Sequence, residues 1–409
     1  MSTRRFFLKS TGIALFGAGA APEWLGRAVA GESPRRKILV SIFQRGAVDV
    51  LNVAVPHSDS NYYAMRPGIA IPRDRVLDLD GTFGLHPAMQ PLKNAWDAGQ
   101  LSLIVATGSP DPTRSHFDAQ DYMESGTPGR KSTRDGWLNR SLSKSAAKAT
   151  PVRAVSMGST VARCMRGSIP AVAIANVGNF QVRDKTAAAE FESMYAKAFD
   201  KSMSTAGRDT FEAVRLVESL RRQPYTPTAG AEYPSSRFGQ SLKEIAQLIK
   251  ADVGLEVAFA DIGGWDHHVN EVGANVEQGP LANLLRDFAS TLAAFHRDLG
   301  DRIADVVLVS MSEFGRTARE NGNRGTDHGH GSAMWVMGGA VNGGKVLGQW
   351  PGLTPEQLYE GRDLAVTTDF RTVLSELVTG HLGTSDVASV FPGYLAAPPR
   401  GVLRNTSSV

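Results

Sequence analysis

Six short apolar runs, most of them rich in β-branched residues, punctuate the chain at residues 38–43, 101–106, 171–175, 256–260, 306–310 and 332–337. Apolar runs of this length, bounded by turn-forming residues, predict buried strands. Between them the apolar positions switch to helical spacing. Leu281, Leu284, Leu285, Phe288, Leu292 and Phe295 form one stripe, which leads into the run at 306–310. Phe211, Val214, Val217 and Leu220 form a second, and Leu374, Leu377 and Val378 a third. Such stripes are the core faces of amphipathic helices. Strands alternating with helices predict an α/β fold, a three-layer α/β/α sandwich around a mostly parallel sheet. Residues 126–133 and 223–236, rich in Pro, Gly, Ser and Thr, read as loops or lids. No internal repeat or clear linker divides the chain. Residues 31–409 are therefore read as one domain with loop insertions, frayed at the end from Pro398.

In parallel sheets, ligands bind beyond the carboxyl ends of the strands. Asp49 lies six residues after the first run, and Ser115 and His116 follow the second. Asp266 and His268 follow the run at 256–260, and Glu313, Arg316, Asp327 and His328 follow the run at 306–310. A parallel sheet turns all four of these exits toward one edge. Two of them are dense in ligand-type groups: Gly263-Gly264-Trp265-Asp266-His267-His268 and Arg324-Gly325-Thr326-Asp327-His328-Gly329-His330-Gly331. Carboxylate with imidazole is the ligand chemistry of zinc and similar divalent ions, and glycine lets backbone and ion come close.

Asp327 and His328 are adjacent, so they converge on one ion only from a bent loop, and His330 is read as reaching a second ion. Asp266 and His268 share a face when extended, whereas His267 points away. Ser115 precedes a stretch that can be helical, and a helix N-terminus favours an ionised oxygen. Metal contact would activate such a hydroxyl for attack. Arg45 and Arg316 are read as binders of an anionic substrate group. Each of these has a plainer reading as well: a capped turn for Asp327, an N-cap for Ser115, and salt bridges for Asp49, Arg45 and Arg316. His57, His86, His296 and His381 have no ligand-like company and read as structural.

The N-terminus adds a compartment. Thr3-Arg4-Arg5-Phe6-Phe7-Leu8-Lys9 is followed by a weakly hydrophobic stretch from Thr11 to Ala21 and by the small residues Ala28-Val29-Ala30. This pattern predicts a twin-arginine signal over residues 1–30, the twin-arginine translocase as an export partner, and a periplasmic or secreted location. The apolar stretch is too short and too glycine-rich for a stable membrane span. Cys164 is the only cysteine, so no intramolecular disulfide forms, and it reads as a small buried hydrophobe. Hydrophobic residues make up 42% and charged residues 21%, as in ordinary globular proteins. The net charge of +3 comes with no basic stripe, which argues against nucleic acid as a partner. There is neither a dinucleotide fingerprint nor a cysteine cluster for iron–sulfur ligation, which argues against a redox cofactor.

The twin-arginine start, Arg45-Gly46 through Asp49-Val50-Leu51-Asn52, Ser115-His116-Phe117, Gly264-Trp265-Asp266-His267-His268, Glu313-Phe314-Gly315-Arg316-Thr317 and Gly325-Thr326-Asp327-His328-Gly329 together resemble an exported bacterial family, domain-of-unknown-function family 1501. That family looks like a distant branch of the alkaline phosphatase and sulfatase superfamily, and the resemblance covers essentially the whole mature chain. It implies an alkaline-phosphatase-like fold, two divalent metals and an alkoxide nucleophile acting on a small anionic phosphate or sulfate ester. Carried over by residue, Asp49, Asp327 and His328 would hold one metal with Ser115 as nucleophile. Asp266 and His268, with His330, would hold the other. The spacings depart from the superfamily: only His267 separates Asp266 from His268, and His330 follows His328 closely. An exported protein that keeps the fold for metal, glycan or partner binding without catalysis is the alternative.

Overall fold

The computed structural model describes residues 35–143, 145, 150–178, 193, 211–220 and 225–404. The signal reading at residues 1–30 lies outside the described residues, as do residues 223–224 of the second loop.

The six apolar runs are strands: β1 (Ile38–Arg45), β5 (Leu101–Gly108), β7 (Val172–Ile174), β8 (Val257–Gly263), β9 (Val306–Met311) and β10 (Ser332–Gly338). Three short strands, β2 (Ala54–Val55), β3 (Leu77–Asp78) and β4 (Gly84–Leu85), pair in a small separate sheet. β6 (Ala154–Met157), β11 (Lys345–Leu347) and β12 (Thr368–Asp369) complete the main one. Among the described residues that sheet has nine strands in the order β11-β5-β10-β9-β1-β8-β6-β7, with β12 also on β5. β1 lies between β8 and β9 and is parallel to both. β10 alone is reversed, antiparallel to β5 and to β9. No helix carries the chain back between β9 and β10. The connection at 312–331 therefore stays at the carboxyl edge of the sheet, and β10 re-enters from there.

Alternate residues of the strands feed two cores. Ile38, Val40 and Ile42 of β1 join one with Leu308 of β9, and Leu39 and Phe43 join the other with Val307 and Val309. The first core is covered by α3 (Arg237–Lys250) and α4 (Pro280–Leu299), through Leu242, Ile245 and Ile249 and through Leu281, Leu285, Phe288 and Leu292. The second is covered by α1 (His116–Ser125), α2 (Trp137–Leu142) and α5 (Phe370–Gly380), through Met123, Trp137, Leu138, Leu374 and Leu377. Helices on both faces of a mostly parallel sheet make the predicted three layers. The predicted stripes fall on α4, on the helix at 211–220 and on α5.

The first predicted loop, 126–133, is irregular. In the second, Tyr225 and Tyr233 donate their hydroxyls to the buried Asp298 carboxylate at the end of α4, at 2.6 and 3.0 Å. Among the described residues no helix is long and apolar enough to cross a membrane. Cys164 is buried, and burial pushes its thiol pKa well up, as suits a packing residue.

Candidate metal centre

The exits of β5, β8 and the β9–β10 connection meet at the carboxyl edge of the sheet. α1 begins there with His116, the turn after β8 carries Asp266 and His268, and the connection carries His328. Their donor atoms converge. His116 Nε2 and His328 Nε2 lie 3.0 Å apart, and His268 Nε2 and His328 Nε2 3.1 Å. Asp266 Oδ1 lies 3.0 Å from His268 Nε2, 3.2 Å from His328 Nε2 and 3.6 Å from His116 Nε2. A tetrahedron built on metal bonds of roughly 2.0–2.1 Å has edges of about 3.3 Å. His116, Asp266 and His328 make up a group able to hold a metal ion; His268 Nε2 stands beside it, close to Asp266 and His328 and 3.5 Å from Arg316 Nη1.

The other face of each imidazole decides what those nitrogens offer. His116 Nδ1 donates to Glu313 Oε1 at 2.8 Å, His268 Nδ1 to Asp327 Oδ1 at 3.1 Å, and His328 Nδ1 to the Arg114 carbonyl at 3.0 Å. Each partner is an acceptor only, so each Nδ1 carries the proton and each Nε2 is left with a lone pair. In the neutral rings, lone pairs about 3 Å apart repel unless a proton or a metal cation lies between them. The donor set therefore fits a divalent ion, with the oxygen-to-imidazole support typical of metal sites.

Charge and burial tune the same groups. Hydrogen bonding to Glu313 holds His116 above the ordinary imidazole range, while burial, together with the nearby His116, holds His328 below it. Burial alone would raise Glu313. Donation from His116, Gln120 and the Gly46 N–H outweighs it and keeps the carboxylate below its usual range. Phe314, buried, stacks beneath His116 with ring centroids 4.9 Å apart.

The glycines of the two motifs mark where backbones press together. A Cβ on Gly325 would lie 2.4 Å from the carbonyl carbon of His268, and one on Gly329 would lie 2.3 Å from that of Arg316. The loops carrying His268 and His328 thus interlock through their main chains.

Four of the predicted site residues have other partners. Asp49 is buried, and Arg66 binds both its oxygens, at 2.5 and 2.8 Å. Burial would raise that carboxyl, but the Arg66 guanidinium holds it below the usual range. Burial, with Asp49 beside it, pushes Glu271 well up, and Glu271 accepts the Thr326 hydroxyl at 3.2 Å. His330 is buried and packs its ring on Tyr359, 4.4 Å between centroids, away from the converging nitrogens. Arg45 spends its donors on Asp261, Gln120 and Glu124. Arg316 is buried, donates to the carbonyls of Ala47, Thr326 and Trp265, and reaches Asp266 Oδ1 at 2.5 Å.

Asp327 supports His268 from behind, accepting from its Nδ1, and also accepts from Asn321. Ser115 is exposed at the start of α1, and its hydroxyl does not cap the helix. His116 was not among the predicted ligands. Its signal in the sequence is its place at the exit of β5, one residue beyond Ser115.

A family model described as a protein of unknown function, DUF1501, matches residues 36–389. No curated relative matches. Among solved structures, a sulfatase from Pseudoalteromonas sp. is similar at 11% identity and a TM-score of 0.37, over 94% of this chain and 78% of that one. A protein in the alkaline phosphatase superfamily from Vibrio parahaemolyticus is similar at 10% identity and 0.31, over 75% and 61%. The alkaline phosphatase of Thermus thermophilus is similar at 15% and 0.29, over 69% and 60%. Likenesses this distant leave the chemistry to be argued from the site itself.

Proposed function

The chain belongs to the DUF1501 family of proteins of unknown function, and from that premise we propose that it is an exported, metal-dependent hydrolase of phosphate or sulfate esters. One observation carries the reading: His116 Nε2, His328 Nε2 and Asp266 Oδ1 approach one another at 3.0–3.6 Å, His268 Nε2 lies 3.0 and 3.1 Å from Asp266 and His328, and every Nδ1 is satisfied from behind. His116, Asp266, His268 and His328 would hold one divalent ion, and zinc suits three imidazoles and a carboxylate. Such an ion supplies positive charge that polarises an ester oxygen and lowers the pKa of a hydroxyl beside it.

The rest falls to the chain. Ser115 offers a free, exposed hydroxyl one residue from His116, and is the proposed nucleophile. The first N–H groups of α1 have no intrahelical acceptor and favour an anion there. With Arg45 and Arg316 engaged by protein groups, that helix end takes over the oxyanion role first read for them. Asp49 and His330 are likewise engaged, which supports one ion in place of two. Export through the twin-arginine translocase to the periplasm or beyond, directed by residues 1–30, belongs to the same proposal.

Metal analysis of zinc-loaded protein tests the centre. One equivalent is expected in the wild type, with loss in His328→Ala and Asp266→Ala; a wild type without stoichiometric metal sinks it. A screen of phosphate and sulfate monoesters and diesters then tests catalysis, and activity unchanged in Ser115→Ala would remove the serine from its role. The full engagement of Arg45 and Arg316 favours a second reading, an exported metal-binding protein without catalysis. Stoichiometric metal with no ester cleaved would establish it.

A further inference from the structure

Among the described residues three large hydrophobic side chains are exposed: Phe117 at 90%, Val269 at 54% and Leu395 at 91%. Two of the three adjoin members of the cluster in sequence, Phe117 beside His116 and Val269 beside His268. An exposed phenylalanine on its own calls for no explanation. Here its neighbours sharpen the case. The other outward groups in the first turns of α1 are engaged: Asp118 with Lys131, Gln120 with Arg45 and Glu313, and Asp121 with Arg163. The chain also buries a phenylalanine at this place, Phe314, stacked beneath His116. Phe117 stands out into solvent on the residue that follows His116, as Val269 does on the residue that follows His268.

Resting on the hydrolase reading, we propose that Phe117, with Val269, forms an apolar rim that selects esters carrying an aromatic or other apolar group beside the charged one. The anionic head lies at the cluster and the start of α1, and the apolar group covers the ring. A phenyl face that removes roughly 50–60 Å² of apolar surface from water contributes about tenfold in affinity at ~25 cal/mol per Å².

The test is calorimetric titration of zinc-loaded full-length protein with phenylphosphonate and with methylphosphonate, neither of which can be hydrolysed. Phenylphosphonate is expected to bind roughly tenfold more tightly. Phe117→Ala, and Phe117→Ala with Val269→Ser, should bring the two ligands within about twofold while metal content stays at one equivalent. Equal binding of the two by the wild type overturns the rim and leaves the hydrolase reading standing. A preference that persists in the double variant does the same. Binding of neither ligand by protein that holds its zinc overturns both.

Discussion

Glu313 is a buried carboxylate that stays ionised because His116, Gln120 and the Gly46 N–H donate to one oxygen and the Ser312 hydroxyl faces the other. Its negative charge fixes the imidazole tautomer and makes the opposite nitrogen more basic. Glu313→Gln keeps an oxygen acceptor and removes the charge. It is expected to weaken metal binding about 10–100-fold, read by competition with a chelator, with the fold retained by circular dichroism. In metal-free protein, the His116 titration should move down in pH, followed by NMR, because its largest upward influence is that carboxylate. At this scale the sequence was half legible. Asp266, His268 and His328 stood out because carboxylate and imidazole crowd together among glycines. The partners of Asp49 and Arg45 did not stand out. Arg66 lies 17 positions from Asp49, and Asp261 lies 216 from Arg45, so only the folded chain reveals those pairs.

The connection between β9 and β10 is the element on which the centre depends, and its shape follows from strand direction. β10 is antiparallel, so the loop between the two strands is confined to the edge where β1, β5 and β8 also end. The sequence predicted the strand but held no sign of its direction, because a fully buried strand reads the same either way. The glycines in that loop are legible as close contacts only once the partner backbone is known. Gly329→Ala puts a methyl group against the main chain of Arg316 and is expected to cost about 1–3 kcal/mol, with loss of bound metal. Gly322→Ala, where nothing lies within 4 Å, is the control and should change neither. Urea unfolding and metal analysis of the two variants separate packing from a general effect of losing glycine.

At the scale of the molecule the layers were the most legible feature. Two cores on one sheet require long apolar runs flanked by amphipathic helices, and both periodicities are written locally. Less legible was the charge that the cores enclose. Glu244 lies on the buried side of α3, where burial pushes its carboxyl up to about 7 from an ordinary 4.5. The folded state therefore binds this proton more tightly than the unfolded chain does. Stability falls as pH rises from the unfolded value through about 7, then stays lowered. Glutamine imitates the protonated form. Glu244→Gln should be nearly neutral at pH 4 and stabilising at pH 8 by roughly 1–3 kcal/mol, the upper figure being the full linkage and the lower allowing for solvent screening of a group that is not fully buried, measured by thermal unfolding at both.

The donors of the centre come from positions 116, 266, 268 and 328, and the strand that clamps the last loop begins only at Ser332. During synthesis a growing chain passes its first ligand long before its last. On the proposed reading, no partial chain could assemble the full donor set, so tight capture of an ion would report that translation has cleared β10 and that the sheet has closed around β1.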